Sequence, residues 1–206
     1  MNKKNIYIIF SRTNNNMGSF IRKVTNSKYN HVSLSLNKSL EEMYSFARYN
    51  KENILYGGFV IESNIRYQDS QVLIFKIPIT IKEYNNLSLQ IEKIKINKNK
   101  YIYNYFSAFS YLFSKKITIY NSYTCVEFII NIIKTYIKEI NIKQFYSLNE
   151  LRSILKKYTI FENNFNVYKK IYNNKEDNYT QSHIIFYYYY KIIINFIALL
   201  YRLIFI

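Results

Sequence analysis

The single cysteine of the chain, Cys125, stands at the start of a segment with helical periodicity. Apolar side chains recur there every three or four residues and form one face, made up of Cys125, Phe128, Ile129, Ile132, Ile133, Tyr136, Ile137 and Ile140. Just upstream, Ser122 and Thr124 are candidate N-caps, so the helix should begin at or just before the cysteine. A thiol in a first helical turn lies beside unpaired N–H groups and the positive end of the helix dipole, which stabilise a thiolate. The same N–H groups could receive an oxyanion during attack on a carbonyl.

A lone cysteine on an apolar helix face also has a structural interpretation, as a small core residue. A catalytic role requires a base, and the chain offers two histidines, His31 and His183. His31 begins a strictly alternating segment, residues 31–36, and lies on its serine-bearing face rather than its apolar face. His183 adjoins a hydrophobic C-terminal segment. His31 is therefore the better candidate, since such pairs need to meet only in the fold.

The elements that would hold these residues fall into two halves. Strand patterns dominate before position 80, and helical patterns with capping boxes at Thr80 and Ser147 dominate after it. This order predicts an α+β domain over residues 1–160, followed by a polar linker over residues 161–183. We expect Pro78 to end a strand, and we expect the aromatic-rich residues 101–113 to form a helix.

Composition excludes several classes of function. One cysteine and two histidines are too few for a structural zinc site, so neither a metal nor a cofactor is expected. The formal net charge of +16 could suggest nucleic acid. The lysines are scattered, however, and no Arg-rich block occurs, which disfavours nucleic acid as a partner. The first apolar run, residues 6–10, is too short for a signal peptide and favours a cytoplasmic protein.

The C-terminal residues 184–206 form a strongly hydrophobic helix pattern. As a helix they would be about 35 Å long, enough to cross a bilayer. Lys191, Asn195, Ala198 and Arg202 nevertheless share one narrow stripe, which indicates a helix with a preferred orientation. Two alternatives remain open: contact of this helix with a membrane, and its packing on the domain or in a dimer.

Three segments together resemble a known family, the circularly permuted papain-like cysteine hydrolases. These form the YiiX/YaeF-like and lecithin–retinol-acyltransferase-like branch of the NlpC superfamily. Tyr29-Asn-His31-Val-Ser-Leu is similar to the family's histidine at the head of a strand. Glu42-Met-Tyr-Ser-Phe46 is similar to the next strand of the small barrel, and Ser122-Tyr-Thr-Cys125-Val-Glu-Phe-Ile to the cysteine at a helix N-terminus. The histidine strand precedes the cysteine helix, which is the permuted order.

The resemblance implies a small antiparallel β-barrel or sheet packed against the helix that bears Cys125. It implies Cys125 as the nucleophile, His31 as the general base and acid, and a polar orienting residue on the strand after the histidine strand. Ser45 lies nearest that place and is the chosen third residue, with Glu42 as the alternative. A one-residue change of hairpin register would turn either residue to the other face, so strand parity cannot decide between them.

The function implied is acyl transfer through a thioester, on an acyl-containing small molecule, peptide or lipid. The alternative is a non-catalytic binding module of the same fold, tethered to a membrane by residues 184–206.

Overall fold

A computed structural model of the chain describes residues 2–13, 16–50, 55–111, 115–140, 145–169 and 185–206. These residues form one eight-stranded mixed sheet and seven α-helices, which confirms the prediction of an α+β fold. The strands are β1 (Lys3–Arg12), β2 (His31–Ser35), β3 (Met43–Arg48), β4 (Gly57–Glu62), β5 (Gln71–Thr80), β6 (Ile102–Tyr103), β7 (Ser122–Tyr123) and β8 (Thr159–Asn164). The helices are α1 (Asn16–Thr25), α2 (Ile81–Ile96), α3 (Tyr105–Ser110), α4 (Cys125–Ile133), α5 (Leu148–Leu155), α6 (Phe165–Tyr168) and α7 (Ile185–Phe205).

The sheet runs in the order β7-β6-β4-β3-β2-β1-β5-β8. Neighbouring strands are antiparallel except for β6 and β7, which are parallel and make the sheet mixed rather than wholly antiparallel. The alternation expected for β2 is present, because Val32 and Leu34 lie in the larger core together with the apolar side of α4. The side chains on the other face of the sheet contribute to a second core, which contains Tyr7, Ile9 and Tyr67.

Helix α4 packs against β2 and β3, so its first residue lies close to the strand that begins with His31. Its start is fixed locally, because the Thr124 hydroxyl accepts the N–H of Glu127 at 3.3 Å and the Glu127 carboxylate accepts the N–H of Thr124 at 2.7 Å. Capping boxes with the same pattern start α2 at Thr80 and α5 at Ser147. The three helix starts are therefore set by residues close together in the sequence.

Part of the predicted linker belongs to the domain instead. β8 pairs with β5, where Gln71 lies opposite Asn164, and the side chain of Phe165 is fully buried in the second core. Residues 161–168 are thus folded, and the remainder of the predicted linker lies almost entirely outside the described residues. The domain extends beyond the expected boundary at residue 160 because β8 completes one edge of the sheet.

Two further expectations are wrong. Pro78 does not end its strand, since β5 continues to Thr80 with Pro78 opposite Asn5 of β1. The aromatic-rich segment is not one helix but β6 followed by α3, which begins where the Asn104 side chain accepts the N–H of Ser107 at 3.0 Å. Residues 112 and 113 of that segment lie outside the described residues.

Helix α7 lies against the domain near α3, with Leu199 buried among Ile102, Tyr105 and Ile119. Among the helices that the structure describes, none combines the length and the apolar character needed to cross a bilayer.

Candidate active site

Cys125 occupies the first position of α4, with its side chain almost fully buried at 8% exposure. It lines a cavity of about 400 Å³, and His31 and Glu62 line the same cavity. At this position the backbone N–H groups of the first turn have no carbonyl acceptor within the helix. The thiol and these N–H groups together have the arrangement needed to attack a carbonyl and hold the resulting oxyanion.

His31 lies between Glu62 and Cys125. Its Nε2 atom lies 2.8 Å from Oε1 of Glu62, and its ring lies close enough to Cys125 for the sulfur to raise the pKa of the imidazole. Because Nε2 faces the carboxylate, Nδ1 is the ring nitrogen left for the thiol. The strand and the helix thus bring together the two residues that the sequence predicts as base and nucleophile. The other histidine, His183, lies outside the described residues.

The orienting residue predicted from the sequence is not the one that contacts His31. The Ser45 hydroxyl donates to the Val32 carbonyl at 2.9 Å and is fully buried. Glu42 lies elsewhere, where it accepts the Tyr44 hydroxyl at 2.7 Å and lies 3.8 Å from Lys95. The residue that holds the imidazole is Glu62, the last residue of β4.

Glu62 was missed because β3 lies between β2 and β4, so strand pairing alone does not place it beside His31. In the register of the sheet its partner is Met43 of β3, and its carboxylate nevertheless lies 2.8 Å from the histidine of β2. One signal was present in the sequence. Glu62 is a carboxylate directly after the strand-forming residues Phe59, Val60 and Ile61, where a charge is retained only with a partner.

Both carboxylate oxygens of Glu62 accept hydrogen bonds. Oε1 accepts from His31 and lies 3.7 Å from Nη1 of Arg66, while Oε2 accepts the hydroxyl of Tyr67. The Ser33 hydroxyl contacts that of Tyr67 in turn, which links the serine-bearing face of β2 to the carboxylate. The Glu62 side chain is only 3% exposed, so these contacts replace the water that the carboxylate loses on folding.

Electrostatics favour an ionised pair at neutral pH. Burial by itself lowers the pKa of His31, but the charge of Glu62 and the hydrogen bonds with Cys125 and Glu62 outweigh it and raise the pKa to about 10. Burial by itself raises the pKa of Glu62, but the charge and hydrogen bond of His31, with Arg66 and Tyr67, bring the pKa below its ordinary value. His31 is therefore an imidazolium held between a carboxylate and the sulfur of Cys125.

The mouth of the cavity is largely apolar. Four partly exposed apolar side chains line the cavity, namely Phe20 and Val24 of α1, Phe109 of α3, and Leu55, which precedes β4. No group of three or more His, Cys, Asp or Glu side chains that could hold a metal ion occurs in the part of the chain that the structure describes. The cavity therefore offers a polar reactive centre with apolar walls around it.

Comparison of the chain with protein-family models, curated proteins and solved structures gave no significant match.

Proposed function

We propose that the protein is a cysteine-dependent acyl hydrolase or acyltransferase that works through a thioester intermediate. The observation that carries this proposal is the chain of contacts Cys125–His31–Glu62 at the N-terminus of α4. A nucleophile, a base and a group that orients the base are the three parts that covalent acyl transfer requires. The resemblance to the permuted papain-like hydrolases supports the same assignment, with Glu62 rather than Ser45 as the third residue.

In the proposed reaction, Cys125 reacts as a thiolate beside the His31 imidazolium, which Glu62 stabilises. The Cys125 thiolate attacks the carbonyl carbon of an amide, ester or thioester, a C–S bond forms, and the carbonyl electron pair moves to oxygen. The N–H groups at the start of α4 stabilise that oxyanion. When the intermediate collapses, the bond to the leaving group breaks and His31 gives its proton to the departing nitrogen, oxygen or sulfur.

In the second half of the reaction, a water molecule or another acyl acceptor attacks the thioester, and the neutral His31 takes a proton from it. The C–S bond breaks, and the thiolate and the imidazolium are restored. Glu62 stays ionised throughout, because it remains in contact with His31 and accepts the Tyr67 hydroxyl. Its role is to fix the ring orientation and to stabilise the imidazolium.

An active-site-directed acyloxymethyl ketone, which alkylates nucleophilic cysteines, tests the proposal. The probe should label the wild-type protein on Cys125, and labelling should disappear in Cys125→Ala, because no other thiol is present in the chain. Intact-mass spectrometry counts the adducts, and a thermal-melting curve shows that the variant is folded. A probe that labels Cys125→Ala as well as the wild type would contradict the assignment, and a folded wild-type protein that stays unlabelled would favour a binding module.

A further inference from the structure

Helix α7 is amphipathic, but its polar side faces the domain and its apolar side faces outward, the reverse of an ordinary surface helix. The polar stripe that the sequence shows, Lys191, Asn195, Ala198 and Arg202, lies on the partly buried side of the helix. Of residues 189–206, Leu199 alone is buried. An ordinary surface helix places its apolar stripe on the core and its charges in water. Here the polar side chains face the domain and the apolar ones face outward.

The inward side is held by specific contacts. The Arg202 guanidinium donates from Nη1 to the Tyr120 carbonyl at 3.2 Å and to the Ser122 hydroxyl at 3.3 Å. Leu199 fills an apolar site between β6 and α3, and the ring of Phe196 lies 5.7 Å from that of Phe106. These contacts set the rotation of the helix, so the outward direction of its other side chains follows from them.

The outward side is a continuous apolar surface. Its members are all exposed large hydrophobic residues, namely Tyr189, Tyr190, Ile193, Ile194, Ile197, Leu200, Tyr201, Leu203, Ile204, Phe205 and Ile206. A patch of this size on a protein in water marks a contact surface, because leaving it hydrated is unfavourable. It contains no charged side chain that would keep it in solution.

Net charge favours one of the possible partners. The chain carries a formal charge of +16, which opposes the approach of a second copy and favours the approach of a negatively charged surface. An apolar face with tyrosines among its aliphatic side chains, on a strongly basic protein, has the chemistry of a helix that lies in the interface of an anionic bilayer. We propose that the outer face of α7 docks on an anionic lipid bilayer, with the helix lying in the membrane plane.

The surface is continuous with the rim of the cavity. Phe106 of α3 contacts α7, and Phe109, one turn later in α3, is exposed and lines the cavity. Docking through α7 would therefore place the mouth of the cavity next to the lipid. The docking proposal does not depend on catalysis, since it is argued from the surface and the charge alone.

Flotation of the full chain with lipid vesicles tests the proposal. The wild-type protein should float with vesicles of phosphatidylcholine and phosphatidylglycerol in equal parts, and much less with phosphatidylcholine alone. Ile197→Asp should weaken the binding by about tenfold, because it removes one outward aliphatic side chain from the contact. The matched control is Leu89→Asp, which changes an equally exposed leucine of α2 (63%, against 59% for Ile197) and should bind like the wild type.

A site-specific probe gives a second readout. In a Cys125→Ser background, Ile197→Cys and Leu89→Cys each carry one thiol for a nitrobenzoxadiazole label. The label at position 197 should become brighter and shift to the blue on anionic vesicles, and the label at position 89 should not change. The proposal is overturned if the folded protein does not float with anionic vesicles, or if both labels respond alike. A stable dimer with disulfide cross-links at position 197 would also overturn it, because a second copy would then cover the face.

Discussion

Glu62→Gln is expected to slow the alkylation of Cys125 by about a hundredfold at neutral pH, the lower end of the contribution of general acid–base groups. The amide keeps the shape of the side chain but removes the negative charge that outweighs the burial of His31. Without that charge, burial lowers the pKa of His31, and the imidazolium beside the sulfur of Cys125 is lost. Pseudo-first-order rates with iodoacetamide, followed by intact mass, measure the effect.

Ser45→Ala is the matched control for this experiment, because Ser45 is the third residue that the sequence predicts. Its hydroxyl donates to the Val32 carbonyl and does not contact His31, so the alkylation rate should be that of the wild type. Equal slowing by Ser45→Ala and Glu62→Gln would show that the rate reports packing of the sheet rather than the charge on Glu62. A rate in Glu62→Gln equal to that of the wild type would remove Glu62 from the site.

The second large effect is on stability. His31→Gln should lower the free energy of unfolding by about 3–5 kcal/mol at about pH 6, the typical result of removing one partner of a buried ion pair. The variant leaves the Glu62 carboxylate, 3% exposed, with Arg66 at 3.7 Å but without the closer His31 cation at 2.8 Å. The double variant with Glu62→Gln should recover much of the loss, because position 62 then carries no buried carboxylate charge. Urea unfolding of the wild type and the three variants measures the cycle.

The pH dependence of this loss follows from the two pKa shifts. His31 has its pKa raised from 6.5 to about 10, so its contribution to stability is complete below 6.5 and disappears as the pH rises through 10. Glu62 has its pKa lowered from 4.5, so its contribution is present above 4.5 and disappears as the pH falls through its folded-state pKa. The cost of His31→Gln should therefore be largest between about pH 4.5 and 6.5 and should shrink by about pH 10.5. A cost that is constant across this range would contradict the ionised pair.

Local chemistry explains what the sequence predicts well. The starts of α2, α4 and α5 depend on hydrogen bonds between residues three apart, at Thr80, Thr124 and Ser147. The capping boxes at Thr80 and Ser147 form as expected, and Thr124, one of the two candidate N-caps of α4, also forms one. The alternation of β2 likewise separates Val32 and Leu34 from Ser33 by the geometry of the strand alone. These features placed Cys125 at a helix start and His31 at the head of a strand.

Long-range features could not be predicted in the same way. Glu62 reaches His31 although β3 lies between their strands, and such a contact depends on the whole sheet rather than on residues close together in the sequence. Pro78 is tolerated within β5 because the described part of β8 pairs only with Gln71 to Phe75 and leaves the far end of β5 without a second neighbour. The stripe on α7 was visible in the sequence, but which way it faces depends on where Arg202 and Leu199 find partners.

The most direct test of the central claim is to trap the acyl-enzyme. When it is mixed with the wild-type protein, a p-nitrophenyl ester of a medium-chain fatty acid should rapidly release p-nitrophenol. Rapid acid quenching followed by peptide mass mapping should then find the acyl group on Cys125 as a thioester. In Glu62→Gln the same adduct should form about a hundredfold more slowly. A protein that is folded yet never carries an acyl group on Cys125, or that carries it at the same rate without Glu62, would contradict the proposed catalytic chain of Cys125, His31 and Glu62.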